Sequence, residues 1–96
     1  MRSYHFYVYI TTNPDKTVLY VGVTNDLVRR INEHFENRGN PKTFAGKYFC
    51  HNVIWFEQFQ YINDAIAREK ELKGWRRQKK EALINATNAK WNTLAI

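Results

Sequence analysis

Ninety-six residues with a formal net charge of +6 and a sequence pI near 9.6 are expected to form one small, basic domain, too short for two cores. At 44% hydrophobic, 16% aromatic and 25% charged the composition is globular, and no apolar run nears the roughly 18 residues of a membrane span. The lone Cys50 excludes a disulfide framework or a cysteine-rich zinc site, and with no secretory pattern ahead of the first strand the cytoplasm is the expected location. Along the chain, His5 to Thr11 is rich in β-branched and aromatic residues and predicts a strand. Asn13-Pro14-Asp15-Lys16 is a turn cluster, and Thr17 to Val23 predicts the second strand of a hairpin. Thr24, Asn25 or Asp26 can cap a helix running to about Glu36, and Arg38-Gly39-Asn40-Pro41 then breaks the pattern. Val53 to Phe59 predicts a third strand. Asn63 or Asp64 opens a second helix that ends near Gly74, and a basic helix follows from about Arg77 to Asn85. The expected fold is α+β: a small three-stranded antiparallel sheet flanked by helices, in the order ββαβαα, within a single domain spanning residues 1–96.

The charge is unevenly placed. Five of the eight residues from Lys73 to Lys80 are basic (Lys73, Arg76, Arg77, Lys79 and Lys80), and a concentrated basic run attracts polyanions by counterion release. Nucleic acid is the expected partner and these five residues its expected phosphate contacts; a merely solvated face is the alternative.

Strand alternation puts Phe6, Val8 and Ile10 on one face of the hairpin with Leu19, Val21 and Val23, a plain core set. The opposite face carries Tyr7, Tyr9 and Tyr20, predicted to look outward or to pack across strands. On the first helix, Leu27, Val28, Ile31 and Phe35 form the apolar stripe, with Arg30 and His34 an i, i+4 pair along its edge that can reach one half-buried pocket. The bland alternative is a snorkelling arginine beside a satisfied histidine. On the second helix, Ile62, Ala65, Ile66 and Leu72 face inward and Glu69 falls in the middle of their arc. A carboxylate there is costly unless paired, with Arg30 as one partner, or used for metal ligation or acid–base chemistry. His5, His51, Cys50, Trp55, Trp75 and Trp91 are expected to be structural or solvent-exposed.

Tyr7-Val8-Tyr9 followed by Tyr20-Val21-Gly22 resembles the paired motif of the GIY-YIG nuclease superfamily. Thr24-Asn25-Asp26-Leu27 leads into Arg30 and His34 at that family's offsets, and Ala67-Arg68-Glu69-Lys70 follows on a later helix. The run from Arg68 to Arg77 and the ending Asn88-Ala89-Lys90-Trp91-Asn92 are similar to a small stand-alone bacterial branch of predicted endonucleases. The resemblance implies hydrolysis of phosphodiester bonds in nucleic acid, DNA being the expected one, by a one-metal mechanism. It implies Tyr9 as base on the attacking water or as its positioner, and Tyr20 hydrogen-bonding the water or phosphate. Arg30 would stabilise charge on the phosphate, and His34 would assist the proton transfer. Glu69 would bind one divalent cation, Mg²⁺ or Mn²⁺, and Asn92 would align with a structural asparagine near the site. Arg30 and the metal are expected to favour the Tyr9 phenolate.

Two positions depart from the pattern. The first motif reads Tyr7-Val8-Tyr9, so its glycine is absent, with Tyr7 in that place, and Val23 stands where several of these nucleases carry a lysine, for which Lys73 is a candidate substitute. Members of the superfamily usually fuse this domain to a targeting module, so specificity is expected from the domain itself or from a targeting partner protein. The competing expectations are a non-catalytic nucleic-acid-binding module of the same fold, and a protein-interaction domain with a purely structural Glu69–Arg30 pair.

Overall fold

The strands and helices follow the chain's punctuation closely. The computed structural model describes residues 5–96 and orders them as β1 (Phe6–Thr12), β2 (Leu19–Thr24), α1 (Leu27–Glu36), α2 (Phe44–Lys47), β3 (Asn52–Phe59), α3 (Ile62–Gly74) and α4 (Arg77–Thr87). The strands make one antiparallel sheet with β1 central, in the order β2-β1-β3. The α+β class and the ββαβαα order are as expected, with the short α2 added between α1 and β3. Among the described residues no helix is long and apolar enough to cross a membrane.

Local chemistry sets the element ends. β2 begins at Leu19 and not at Thr17, because the backbone N–H groups of Thr17 and Val18 are taken by the Asn13 side-chain oxygen at 2.8 and 2.9 Å. That Asx-type closure replaces the first rungs of the ladder. Asp26 caps α1 by accepting from the Arg29 N–H, and Thr43 caps α2 by accepting from the Gly46 N–H. α3 starts one residue earlier than expected, at Ile62 after Tyr61, and has no side-chain cap; Asp64 instead sits in its first turn, where a negative charge suits the helix dipole. The helix stops because Trp75 turns to extended backbone. The indole of Trp75 then packs against the core, flanked by the cations of Arg68 and Lys79.

The register of β1 against β3 slips between Ile10 and Thr11, leaving Ile54 without a partner across the pair. Asn88, the C-cap of α4, donates from its side chain to the Ile54 carbonyl at 3.0 Å and to the Asn92 carbonyl at 2.8 Å, and accepts from the Asn92 N–H at 3.1 Å. The carbonyl freed by the bulge is thereby satisfied, and the chain after α4 is turned back towards the sheet.

Both faces of the sheet are covered. Val8, Ile10, Val21, Ile54 and Trp55 meet Ala65 and Leu72 of α3 and Ile84 of α4 on one face. On the other, Tyr9, Leu27 and Val53 form a second cluster with Tyr7, Tyr20, Ile31 and Leu94. The hairpin tyrosines therefore do not look out as a set: Tyr9 is fully buried and Tyr7 and Tyr20 are half-buried. The buried face of α1 also differs from the apolar stripe. Leu27 and His34 point inward, while Val28 and Phe35 are exposed. Polar pairing decides this rotation, because turning His34 inward satisfies a buried tyrosine hydroxyl. Phe35 gains partial cover from the Arg38 guanidinium over its ring and the His51 edge.

Candidate active site

Central β1 carries Tyr9 into the cluster beneath α1, directly opposite Gly22 of β2. A methyl group at Gly22 would lie 2.3 Å from the Tyr9 hydroxyl oxygen and 2.4 Å from the ring carbon bearing it. The phenol thus crosses β2 over the one residue with no side chain to obstruct it. Glycine inside a strand signals such a close approach, and this was readable in the second motif although Gly22 carries no reactive group.

The hydroxyl ends 2.8 Å from Nε2 of His34, in a buried pair spanning the sheet and α1. Tyr20 stands beside both, with ring centroids 6.3 Å from Tyr9 and 5.4 Å from His34. The Arg30 guanidinium lies beside the Tyr9 and Tyr20 oxygens and makes its well-directed hydrogen bond, 2.9 Å long, to Glu33. Tyr9, Tyr20, Arg30 and His34 therefore form one cluster.

Burial governs the ionisation states. It pushes the Tyr9 phenol up to about 12, outweighing the opposing pull of Arg30. Of the two influences expected to favour a phenolate, Arg30 by itself does not outweigh burial, and Tyr9 is held as a neutral hydroxyl at ordinary pH. Burial likewise pushes His34 down to about 4, with the Arg30 charge acting in the same direction. For Arg30, burial lowers the value, but the Tyr9 oxygen and the Glu33 carboxylate outweigh it and keep the guanidinium charged. Arg30 can only donate, and a neutral His34 accepts the Tyr9 O–H at Nε2 in the tautomer protonated at Nδ1.

The buried neutral histidine has a thermodynamic signature. Below about pH 6.5 an unfolded chain takes up a proton at His34 that the folded chain refuses until about pH 4, so acid favours unfolding across that window. The loss amounts to about 3 kcal/mol between neutral pH and pH 4. Urea unfolding of the native chain and of His34→Gln at pH 7.5 and 4.5 checks this: the pH-dependent loss should shrink sharply in the variant. An unchanged loss would place the acid sensitivity elsewhere, His51 being the other histidine held low by burial.

Among the described residues Glu69 makes no hydrogen bond or ion pair to this cluster. It belongs to α3, which packs on the opposite face of the sheet, and its largely buried carboxylate pairs with Lys73 at 3.1 Å. No hydrogen bond or ion pair among the described residues joins it to Arg30, whose partner is Glu33, so the anticipated Glu69–Arg30 pair does not form. Among the described residues no group of three or more His, Cys, Asp or Glu side chains converges on one point. A lone carboxylate suits a hard cation that keeps most of its water, such as Mg²⁺, and not a closed protein cage. Tyr7, which stands where the motif has its glycine, packs half-buried against the Tyr9 cluster, and Val8 fills the other face's core. Val23 packs against the same core on the α3 side, the side that also bears Glu69 and Lys73.

The basic run divides. Arg77 donates to the carbonyls of Thr17 and Lys16 at the hairpin tip and pairs with Glu81, while Lys73 is held by Glu69 and Lys79 by the Trp75 ring. Arg76 is exposed at the start of α4, and Lys80 is half-buried beside Val18 and Leu19. Asn92 is exposed, and the asparagine that organises this corner through its side chain is Asn88.

A catalytic-domain family with paired tyrosine motifs on a hairpin is what this geometry matches. The chain belongs to the GIY-YIG family, residues 5–82 corresponding to the GIY-YIG catalytic domain. It is 37% identical over 83 residues to a UPF0213 protein of Haloquadratum walsbyi, covering 86% of this chain and 89% of that one. A UPF0213 protein of Limosilactobacillus reuteri is 30% identical over 84 residues, covering 88% and 86%. The solution NMR structure of a UPF0213 protein from Bacillus halodurans superposes with a TM-score of 0.58 at 27% identity, over 93% of this chain and 92% of that one.

Proposed function

We propose that the protein is a divalent-metal-dependent endonuclease that hydrolyses phosphodiester bonds in nucleic acid, DNA being the expected substrate. The observation that carries this reading is the buried Tyr9–His34 hydrogen bond with the Arg30 cation beside it, in a member of a catalytic-domain family. A phenol held to a neutral imidazole is a proton relay. A water bound at the Tyr9 oxygen gives its proton to that oxygen as the Tyr9 proton moves to His34 Nε2. The hydroxide so formed attacks phosphorus, and the bond to the leaving ester oxygen breaks as that oxygen takes a proton from solvent water. Arg30 offsets the charge that builds on the phosphoryl oxygens. The phosphate's charge also cancels the Arg30 field at His34, making the imidazole a better acceptor once substrate is present. Tyr20 orients the water or a phosphate oxygen.

Glu69 would hold the cation, Mg²⁺ or Mn²⁺, which supplies further charge neutralisation at the phosphate. Lys73 would answer for the lysine that Val23 replaces. Arg76 and Lys80 are the members of the basic run that would meet phosphate, and Asn92 would have a supporting structural role. The reading includes action as one domain in the cytoplasm, consistent with the single buried Cys50, and a targeting partner protein for specificity.

The engagement of Glu69 by Lys73 favours a second reading: a nucleic-acid-binding module of the same fold without cleavage. Magnesium-titrated incubation with duplex, flap, junction, single-stranded and RNA substrates separates the two. Cleavage that rises with magnesium and vanishes in Glu69→Gln is the expected result. Salt-sensitive binding with no cleavage of any substrate would establish the second reading instead.

A further inference from the structure

The connection from α1 to β3 carries features that neither packing nor the proton relay uses. From Asn37 to Phe56 the chain contains no Asp or Glu but includes Arg38, Lys42 and Lys47. Within it Phe44, Tyr48 and Phe49 are 51%, 40% and 46% exposed, a concentration of open aromatic surface that a basic loop has no solubility reason to display. The rings are ordered. Phe44 stacks on Tyr20 with an interplanar angle of 25°, and Tyr48 lies 4.8 Å beyond it between centroids.

The backbone holds this display in place. Gly46 sits where a Cβ would come within 2.8 Å of the Asn40 carbonyl, the Thr43 hydroxyl and the Asn37 carbonyl, so the loop closes tightly around α2. Gly39, at φ +85°, donates its N–H to the Gly46 carbonyl at 2.7 Å, a left-handed turn that glycine takes at no steric cost. Phe49 itself adopts a φ of +58°, a left-handed conformation that costs an ordinary side chain about 1–2 kcal/mol. A strained aromatic left nearly half open is a cost that burial does not offset.

We propose that this connection is the docking ledge for an unpaired nucleic-acid strand, with bases stacking on Phe44, Tyr48 and Phe49 and the flanking phosphates meeting Arg38, Lys42 and Lys47. The inference rests on the endonuclease reading and supplies its substrate form. Aromatic faces accept any base, but only one released from a duplex stack. The wholly cationic character of the segment matches a phosphate backbone, and continuity through the Phe44–Tyr20 stack leads the strand to the Tyr9–His34 pair. The ledge lies on the tyrosine side of the sheet, whereas α3 and α4 with their basic run lie on the other.

Fluorescence anisotropy in EDTA, where no cleavage occurs, tests the ledge apart from catalysis. The probes are a labelled DNA strand of roughly ten nucleotides, its RNA counterpart and the matching duplex. The native chain should bind both single strands more tightly than the duplex. Phe44→Ala and Tyr48→Ala should each weaken single-strand binding by about tenfold, the effect of losing one stacked base, and leave duplex binding unchanged. Phe44→Trp keeps a stacking face and should restore affinity, which separates lost stacking from a disturbed fold. Lys47→Ala should flatten the salt dependence of single-strand binding by about 0.7 in log–log slope. Equal affinity for strand and duplex, with no effect of the aromatic substitutions, would overturn the proposal. So would sedimentation showing a concentration-dependent dimer that the same substitutions abolish, since the ledge would then receive a second copy of the chain. Ledge binding without cleavage under any metal would retire the endonuclease reading alone; cleavage with unaltered binding in the variants would retire the ledge alone.

Discussion

Gly22→Ala is expected to destabilise the fold by about 1–3 kcal/mol and to lower cleavage by about a hundredfold or more. The added methyl would sit 2.3 Å from the Tyr9 hydroxyl and 2.9 Å from a second ring carbon, so the whole phenol must move. Tyr9 is fully buried among Leu27, Val53 and its neighbours, which leaves it little room to retreat. Any displacement lengthens the 2.8 Å contact with His34 and moves the oxygen relative to Arg30. Chemical unfolding and a cleavage assay give the two readouts. A double-mutant cycle with Tyr9→Ala ties them to the ring: the two substitutions should couple by about 1 kcal/mol or more, since removing the ring removes the clash. Wild-type stability and turnover in Gly22→Ala would show that the phenol does not depend on the space above that glycine.

Tyr9→Phe separates chemistry from packing. The ring stays, its core contacts stay, and only the relay oxygen is lost. Cleavage should fall by about 10²- to 10⁴-fold, the usual contribution of a positioned proton-transfer group, while stability changes by only about 1 kcal/mol and substrate binding holds. The pH profile distinguishes the relay from a phenolate base. With Tyr9 neutral up to about 12 and His34 neutral down to about 4, relay turnover should be level from about pH 6 to pH 9. A phenolate base would instead make the rate rise by about tenfold per pH unit over that range, following the tiny ionised fraction. Undiminished cleavage by Tyr9→Phe would remove the hydroxyl from the reaction.

Much of the fold was legible because its cues are local. Asp26 ahead of an apolar run, Asn13-Pro14 between two β-branched segments and the periodicity from Ile62 to Leu72 each marked an element where one stands. The inward face of α1 was not legible by hydrophobicity, because what His34 faces is a tyrosine hydroxyl supplied by another element. α2 escaped because Thr43-Phe44-Ala45-Gly46 is too short to show any period, and with it went the exposed aromatics. The same limit applied to the basic run. Charge density marked it as a patch, but Arg77 reaches two backbone carbonyls of the hairpin tip, and backbone acceptors leave no mark in a residue string. The site divides in the same way. The tyrosines, Arg30 and His34 share a locality that motif spacing foreshadowed, whereas the ionisation of Tyr9 is set by the depth of its burial, which spacing does not encode.

The clasp between α4 and the hairpin bears on the order in which the protein becomes itself. Tyr9 and Tyr20 are made early, yet the turn joining their strands is gripped by Arg77, 60 positions after Thr17, and by the Lys16 amine on the Lys90 carbonyl, 74 positions away. Leu94, which helps to enclose Tyr9, donates its N–H to Val53 later still. On a nascent chain the hairpin therefore emerges with its tip unfastened and its central phenol open to water, where a tyrosine's acidity is the ordinary one. The Tyr9–His34 contact needs only β1 and α1, but the enclosure that raises Tyr9 is completed when the stretch through Leu94 has been made and has folded back.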